Sequence, residues 1–370
     1  MRVGAQSWYL AGLLACTACP VSDDPVGDGT DNSSGAADTA ATTASSQTTT
    51  STQPGTTDAT TATTTPPPAD SSAGDGSSSG GPPSDGESGV VRFIALGDSG
   101  EGNEAQQLVA NAAELVCEAD GCDFALLLGD NFYDVGVTSV DDPQFITKFE
   151  LIYQNLGIPF YVILGNHDYG TLANDWPRGQ YQIDYAAQNP NWIMPAFWYT
   201  FSSESGDTQF FAMDTQRMMW DHQTDEQWAW FDETMAASTA SWKVAFGHHP
   251  YISNGSHGNA GNYEGIPAID FISGGVVKEF VDTRVCGQID VYFSGHDHNR
   301  QAFDPVCGTY FIVSGAAAKV SDFEFRDDNP TAWGDDQAEG FVWVEITGQT
   351  FTARFYDYTG LLDYEQSFTR

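Results

Sequence analysis

From residue 90 onward the chain repeats one pattern: a short apolar run, a glycine, then polar residues. VVRFIALGD (90–98), FALLLGD (124–130) and PFYVILGNHD (159–168) each open with a mainly hydrophobic stretch of strand length. Runs of this kind predict strands buried on both faces. Between them, NEAQQLVANAAELVCEA (103–119) places apolar residues at helical spacing, and PQFITKFELIYQNL (143–156) does so with Pro143 near its start. This β-α-β-α-β alternation predicts a largely parallel sheet with helices on its faces.

An insertion rich in Trp and Tyr follows, then FWYTFS and QFFAMDT as strands. TDEQWAWFDETMAAS (224–238) reads as a helix capped by Thr224. WKVAFGHHP and QIDVYFSGHDH are further buried strands, with a helix near 268–283 between them. RQAFDP, GTYFIVSG, GFVWVEITG and TFTARFYDYTG close the chain as antiparallel-looking strands. There is no internal repeat. The pattern predicts an α/β fold of two packed sheets covered by helices.

Composition sets the limits of that fold. Residues 17–89 are almost entirely Thr, Ser, Ala, Asp, Gly and Pro, with no aromatic residue, Lys or Arg. Such a segment buries too little apolar surface to offset its ordering entropy, so it reads as a disordered tether. Residues 90–370 form one domain of 281 residues. Ahead of the tether, MRVGAQSWYLAGLLAC (1–16) has the layout of an export signal. Its apolar run is shorter than the roughly 20 residues that a membrane span needs. LLAC resembles a bacterial lipobox, which would make Cys16 a lipidated residue. An ordinary cleaved signal, giving a secreted protein, is the alternative. With a lipid at Cys16, the tether would hold the domain on the order of 50 Å from a membrane.

In an exported chain the four cysteines of the domain predict two disulfides. Cys117–Cys122 and Cys286–Cys307 each bracket a short unit and are the favoured pairs. The formal net charge is −38, of which −29 falls on the domain, where 41 acids face 12 bases. That excludes the basic footprint of a nucleic-acid binder. It also means that any anion bound here is held by something other than a lysine and arginine cluster. Nothing in the sequence sets the oligomeric state.

The strand ends supply the candidate chemistry. In order they read LGDSG (Asp98), LGDNFY (Asp130, Tyr133), LGNHD (Asn166, His167), FGHHP (His248, His249) and SGHDH (His296, His298). Ligands of open α/β sheets gather at the carboxyl ends of strands. Taken singly, a Gly-Asp there is more often a plain turn and a lone His more often a hydrogen-bonded residue. Here six of the seven histidines fall at these ends or within nine residues of one. Oxygen and imidazole donors without cysteine suit hard or borderline transition metals. The donors are too many for one ion, so a pair sharing a carboxylate is the economical reading. Two such ions could hold a phosphoryl group without lysines.

The ordered motifs GDSG, GDNFY, GNHD, GHHP and GHDH resemble the purple acid phosphatases, in particular the small tartrate-resistant type of the metallophosphoesterase (calcineurin-like) superfamily. A second histidine nine residues past His248, His257 in GSHG, extends the match. The resemblance implies a metallophosphoesterase β-sandwich of two mixed sheets with the metal site at strand carboxyl ends. It implies a first metal held by Asp98, Tyr133 and His298, a bridging Asp130, and a second metal held by Asn166, His248 and His296. His167 and His257 would contact substrate and assist the leaving group, with Asp297 facing elsewhere and His249 not a ligand. A carboxylate, a phenolate and a shared carboxylate favour Fe³⁺, whereas an amide and two imidazoles suit divalent Fe, Zn or Mn. Much of the superfamily has a histidine where Gly100 stands, and Tyr133 would fill that vacancy.

The expected activity is hydrolysis of small phosphomonoesters. A phosphodiesterase on the same fold is the rival enzyme, and a tethered binding module without turnover the rival from another class. Trp176, Tyr181, Trp192, Phe197 and Trp198 read as core rather than cleft wall. The run 327–337 reads as an acidic surface loop, and His222 as a surface residue.

Overall fold

The computed structural model describes residues 89–370. The expected export signal and tether lie outside the described residues. Fourteen strands form two seven-stranded sheets. The chain lays down β1 (Val90–Leu96), β2 (Phe124–Leu128), β3 (Phe160–Ile163) and β4 (Trp192–Ile193) in the first. It then crosses to the second for β5 (Tyr199–Ser202), β6 (Thr208–Met213), β7 (Trp242–Gly247), β8 (Val291–Ser294), β9 (Arg300–Phe303), β10 (Tyr310–Ser314) and β11 (Thr331–Asp335). It returns to the first with β12 (Gly340–Thr347), β13 (Thr350–Asp357) and β14 (Leu362–Thr369). The sheet orders are β14-β13-β12-β1-β2-β3-β4 and β11-β9-β10-β8-β7-β6-β5.

The expected parallel core is present in each sheet. β1, β2 and β3 run parallel, as do β6, β7, β8 and β10. Every residue of β2 is buried, as its unbroken apolar run requires. The two sheets meet on aromatic side chains: Phe93 lies edge-on to Phe210 at 5.4 Å and to Phe293 at 5.8 Å. Such contacts bury large apolar areas and lock the sheets face to face. Helix Glu104–Asp120 covers the first sheet; Asn103 caps it by accepting from the Gln106 N–H. Both favoured disulfides, Cys117–Cys122 and Cys286–Cys307, are formed.

Local expectations fail in informative places. Thr224 is the first residue of helix Thr224–Ala237 rather than its cap; Gln223 precedes it in a left-handed conformation and no side chain caps the end. The helix expected near 268–283 is broken at Gly274 (φ 70°) into Asp270–Ser273 and Gly275–Phe280. β10 is antiparallel to β9 but parallel to β8, so the closing strands are mixed. The run 327–337 contains edge strand β11, and its Asp335 holds the fully buried Arg300 at 2.7 Å. β14 has only alternate half-buried positions on an edge and lacks an apolar run.

Candidate metal centre

The carboxyl ends of the parallel strands from both sheets converge on one point. The Gly97 N–H donates to Ser314 O (2.7 Å), joining the ends of β1 and β10 across the sheets. The Asp98 N–H donates to Gly129 O (3.0 Å) and the Gly295 N–H to His248 O (3.0 Å). His248 Nδ1 lies 2.9 Å from Leu128 O, tying the end of β7 to that of β2.

All seven expected metal ligands are brought together. The Tyr133 hydroxyl lies 2.9 Å from Asp98 Oδ1, 2.9 Å from Asp130 Oδ2 and 3.3 Å from His298 Nε2. His248 Nε2 lies 3.1 Å from Asn166 Oδ1, 3.1 Å from His296 Nδ1 and 3.4 Å from Asp130 Oδ2. Two donor groups therefore stand side by side, and the same oxygen of Asp130 belongs to both.

Local backbone geometry explains the glycines. Asp98 (φ 59°), Asp130 (φ 52°) and His296 (φ 70°) themselves adopt the left-handed conformation, which non-glycine residues rarely do. Such residues concentrate at functional sites. The preceding glycines make room for their neighbours. A Cβ at Gly165 would stand 2.1 Å from Asp130 Oδ1, and one at Gly295 would stand 2.4 Å from Asp98 Oδ2.

Around the donors lies a supporting shell, most of which the sequence did not disclose. Buried Asp168 accepts from the Asn131 N–H (3.1 Å), the Gly165 N–H (2.9 Å) and Gln182 Nε2 (2.8 Å), which fixes the turns after β2 and β3. Asp297 does face away from the donors, as expected, and accepts from the His257 N–H at 3.0 Å. His167 lies beside Tyr133, ring centroids 4.5 Å apart, with Nδ1 2.6 Å from Asp134 O. The His257 ring stacks on His296 at 4.0 Å, and Glu264 pairs with its Nδ1. Two of the chain's four lysines touch Tyr133: Lys148 Nζ donates to its carbonyl, and Lys319 Nζ stands 3.4 Å from its ring centroid while pairing with Glu101 at 2.6 Å. Only the GNHD motif hinted at Asp168; the partners of the others are set by tertiary contacts.

His249 is buried with Nδ1 2.7 Å from Thr215 Oγ1, and its ring lies 4.5 Å from that of His296. His222 is partly exposed, and its ring stacks on Trp176 at 4.3 Å. Trp192 is core, as expected.

Charge within the cluster suits cations. Burial pushes Asp98 up to about 7 against the pull of His248. Burial acts the same way on Asp130, but the charges of His248 and His167 outweigh it and hold that carboxyl well below its usual range. Burial, then Asp130 and Asp98, push the Tyr133 phenol well above its ordinary value. His296 is pushed far down by burial and neighbouring imidazoles, and His298 by burial and Lys319, leaving neutral rings with lone pairs to donate. Burial lowers His248 too, but against these two neutral rings Asp130 and Asp98 outweigh it and push His248 up to about 9, so a cation bound among the crowded oxygens would take the place of the His248 proton.

Comparison with known proteins agrees. The calcineurin-like phosphoesterase family model matches residues 91–300. Purple acid phosphatase 7 of Arabidopsis thaliana is 28% identical over 316 residues, covering 76% of this chain and 87% of that one. Tartrate-resistant acid phosphatase type 5 of Homo sapiens is 26% identical over 309 residues, covering 75% and 90%. Purple acid phosphatase PPD1 from yellow lupin seeds shares the fold with a TM-score of 0.59 at 16% identity, over 77% of this chain and 55% of that one. GAP50, described as the anchor in the inner membrane complex of Plasmodium, gives 0.61 at 20% identity, over 76% and 89%. The same fold thus serves a phosphatase and an anchor, so any statement of chemistry must rest on the donor residues. With the family model spanning more than half of the sequence, the chain belongs to the calcineurin-like phosphoesterase family.

Proposed function

We propose that this chain is a metal-dependent acid phosphatase that hydrolyses small phosphomonoesters on a dinuclear centre. The observation that carries the reading is the single Asp130 oxygen shared between the Tyr133 and His248 donor groups. Asp98, Tyr133 and His298 would hold one cation, Asn166, His248 and His296 the other, and Asp130 both. The first set suits Fe³⁺, the second divalent Fe, Zn or Mn. Bound there, the pair supplies Lewis acidity toward the phosphoryl oxygens and an acidified water as nucleophile.

The chain's own residues do the rest. Asp168 and the close-packed glycines hold the donors in place without substrate. His257 donates a proton to the departing oxygen, and His167 faces the phosphoryl group beside Tyr133. We also propose that the enzyme works outside the cytoplasm, secreted or anchored at Cys16, and that nucleic acid is not its substrate, given its charge.

Metal analysis with a visible spectrum tests the centre. The expected result is two metal ions per chain and a phenolate-to-Fe³⁺ absorption band that Tyr133→Phe abolishes. An unchanged spectrum in that variant would refute the assignment. Comparing p-nitrophenyl phosphate with its bis ester tests the substrate class. A diester preference would move the reading to a phosphodiesterase. A fully metallated protein without turnover would favour a binding module.

A further inference from the structure

The loop carrying His257 is held at three points. Its N–H donates to Asp297 Oδ1 at 3.0 Å, and Asp297 is fully buried, with its other oxygen lacking a hydrogen-bond partner among the described residues. Its carbonyl accepts from the Glu264 N–H at 3.0 Å. Its ring Nδ1 is paired with the Glu264 carboxylate. Stacking on His296 at 4.0 Å fixes the ring plane. One polar atom of the residue, Nε2, has no protein partner among the described residues. Glu264 also adopts a left-handed φ of 57° that a non-glycine residue avoids. Backbone strain of this kind persists only where surrounding contacts impose it. Both Glu264 contacts end on His257, seven residues back.

We infer that Glu264 is a positioning residue. By accepting a hydrogen bond from Nδ1–H, its carboxylate fixes the orientation of His257 and holds the doubly protonated ring whose Nε2–H is left to serve the substrate. This rests on the reading of His257 as proton donor and extends it to a residue outside the recognised motifs. In the step concerned, the nucleophilic oxygen bonds to phosphorus while the bond to the leaving oxygen breaks. That oxygen keeps the electron pair and takes the Nε2 proton, which solvent later replaces. An alkoxide needs this proton, whereas p-nitrophenolate departs without it.

The test uses both leaving groups. Glu264→Ala is expected to lower kcat on glycerol phosphate about tenfold or more, and on p-nitrophenyl phosphate less than about twofold, with KM unchanged. Glu264→Gln, which keeps an acceptor for the Nδ1 proton, is expected to recover most of the loss. His257→Asn should show the same substrate-selective pattern, more strongly. Because the Glu264 side chain is nearly half exposed, both of its variants are expected to fold, and thermal unfolding checks this.

Equal loss on both substrates for Glu264→Ala would overturn the inference, as would a Gln variant no better than Ala. Loss of a metal ion from Glu264→Ala would make Glu264 a ligand and overturn it too. If His257→Asn itself fails to discriminate between the substrates, the proton-donor reading falls first and the inference with it.

Discussion

A methyl group on Gly165 would collide with the carboxylate that two donor groups share, standing 2.1 Å from Asp130 Oδ1 and 2.5 Å from its backbone nitrogen. Neither atom can retreat, because the Asp130 backbone is already in a left-handed turn and Oδ1 accepts from the His167 N–H at 2.8 Å. Gly165→Ala is therefore expected to fold, retain its far-ultraviolet circular dichroism, and lose metal together with about 100-fold or more in activity. Full metal content in that variant would show that the site tolerates the displacement. The sequence made these glycines look like turn-formers. The structure gives much of the turning to Asp98, Asp130 and His296, and at Gly165 and Gly295 uses the absent side chain as space for a neighbouring carboxylate.

At the scale of elements, Asp142 holds the entry to the helical stretch that begins after Pro143. Its Oδ2 accepts from the Thr138 N–H (2.8 Å) and hydroxyl (2.9 Å), and its Oδ1 from the Gln144 N–H (3.0 Å). Burial pushes this carboxyl up, but the hydrogen bonds outweigh it and the acid sits below its ordinary value. A depressed folded-state value means stability that is present above the unfolded carboxyl's ordinary range and lost as pH falls through the folded value. Asp142→Ala is expected to cost about 1 kcal/mol near neutrality. The gap to wild type should close below about pH 4, as measured by urea unfolding. A pH-independent gap would assign the effect to packing.

What could be read in advance at this scale follows from how far each signal travels along the chain. β1, β2, β3, β7 and β8 are mainly apolar runs, so they announce themselves, and the ligand residues at their ends come with them. β11 and β14 lie on sheet edges, where no residue is fully buried and polar residues break up any apolar run. Glu264, Lys319 and Asp297 act on the site through partners distant along the chain or through loops of no fixed pattern, which leaves no spacing to read. Among the site residues, Tyr133 was legible because it follows Asp130 by three residues, and GHDH because its two imidazoles leave one strand end.

Over the whole molecule the charge of −29 on the domain surrounds a site meant for an anion. Long-range repulsion should slow substrate arrival at low salt, and screening should relieve it. We expect KM for a phosphomonoester to fall about threefold as ionic strength rises from roughly 10 mM to roughly 200 mM. A KM that rises with salt would show that the local field of the centre dominates the global one.

The donors also divide between the layers of the sandwich. Asp98, Asp130, Tyr133 and Asn166 follow strands of the first sheet, whereas His248, His296 and His298 follow strands of the second. Neither layer owns a complete set, so cations seated there would work as a clasp along one rim of the closed book, while Phe93, Phe210 and Phe293 grip it from within. Chelation would then do more than silence the chemistry: it would let that rim gape, and the energy of holding the ions would reappear as resistance of the two halves to parting.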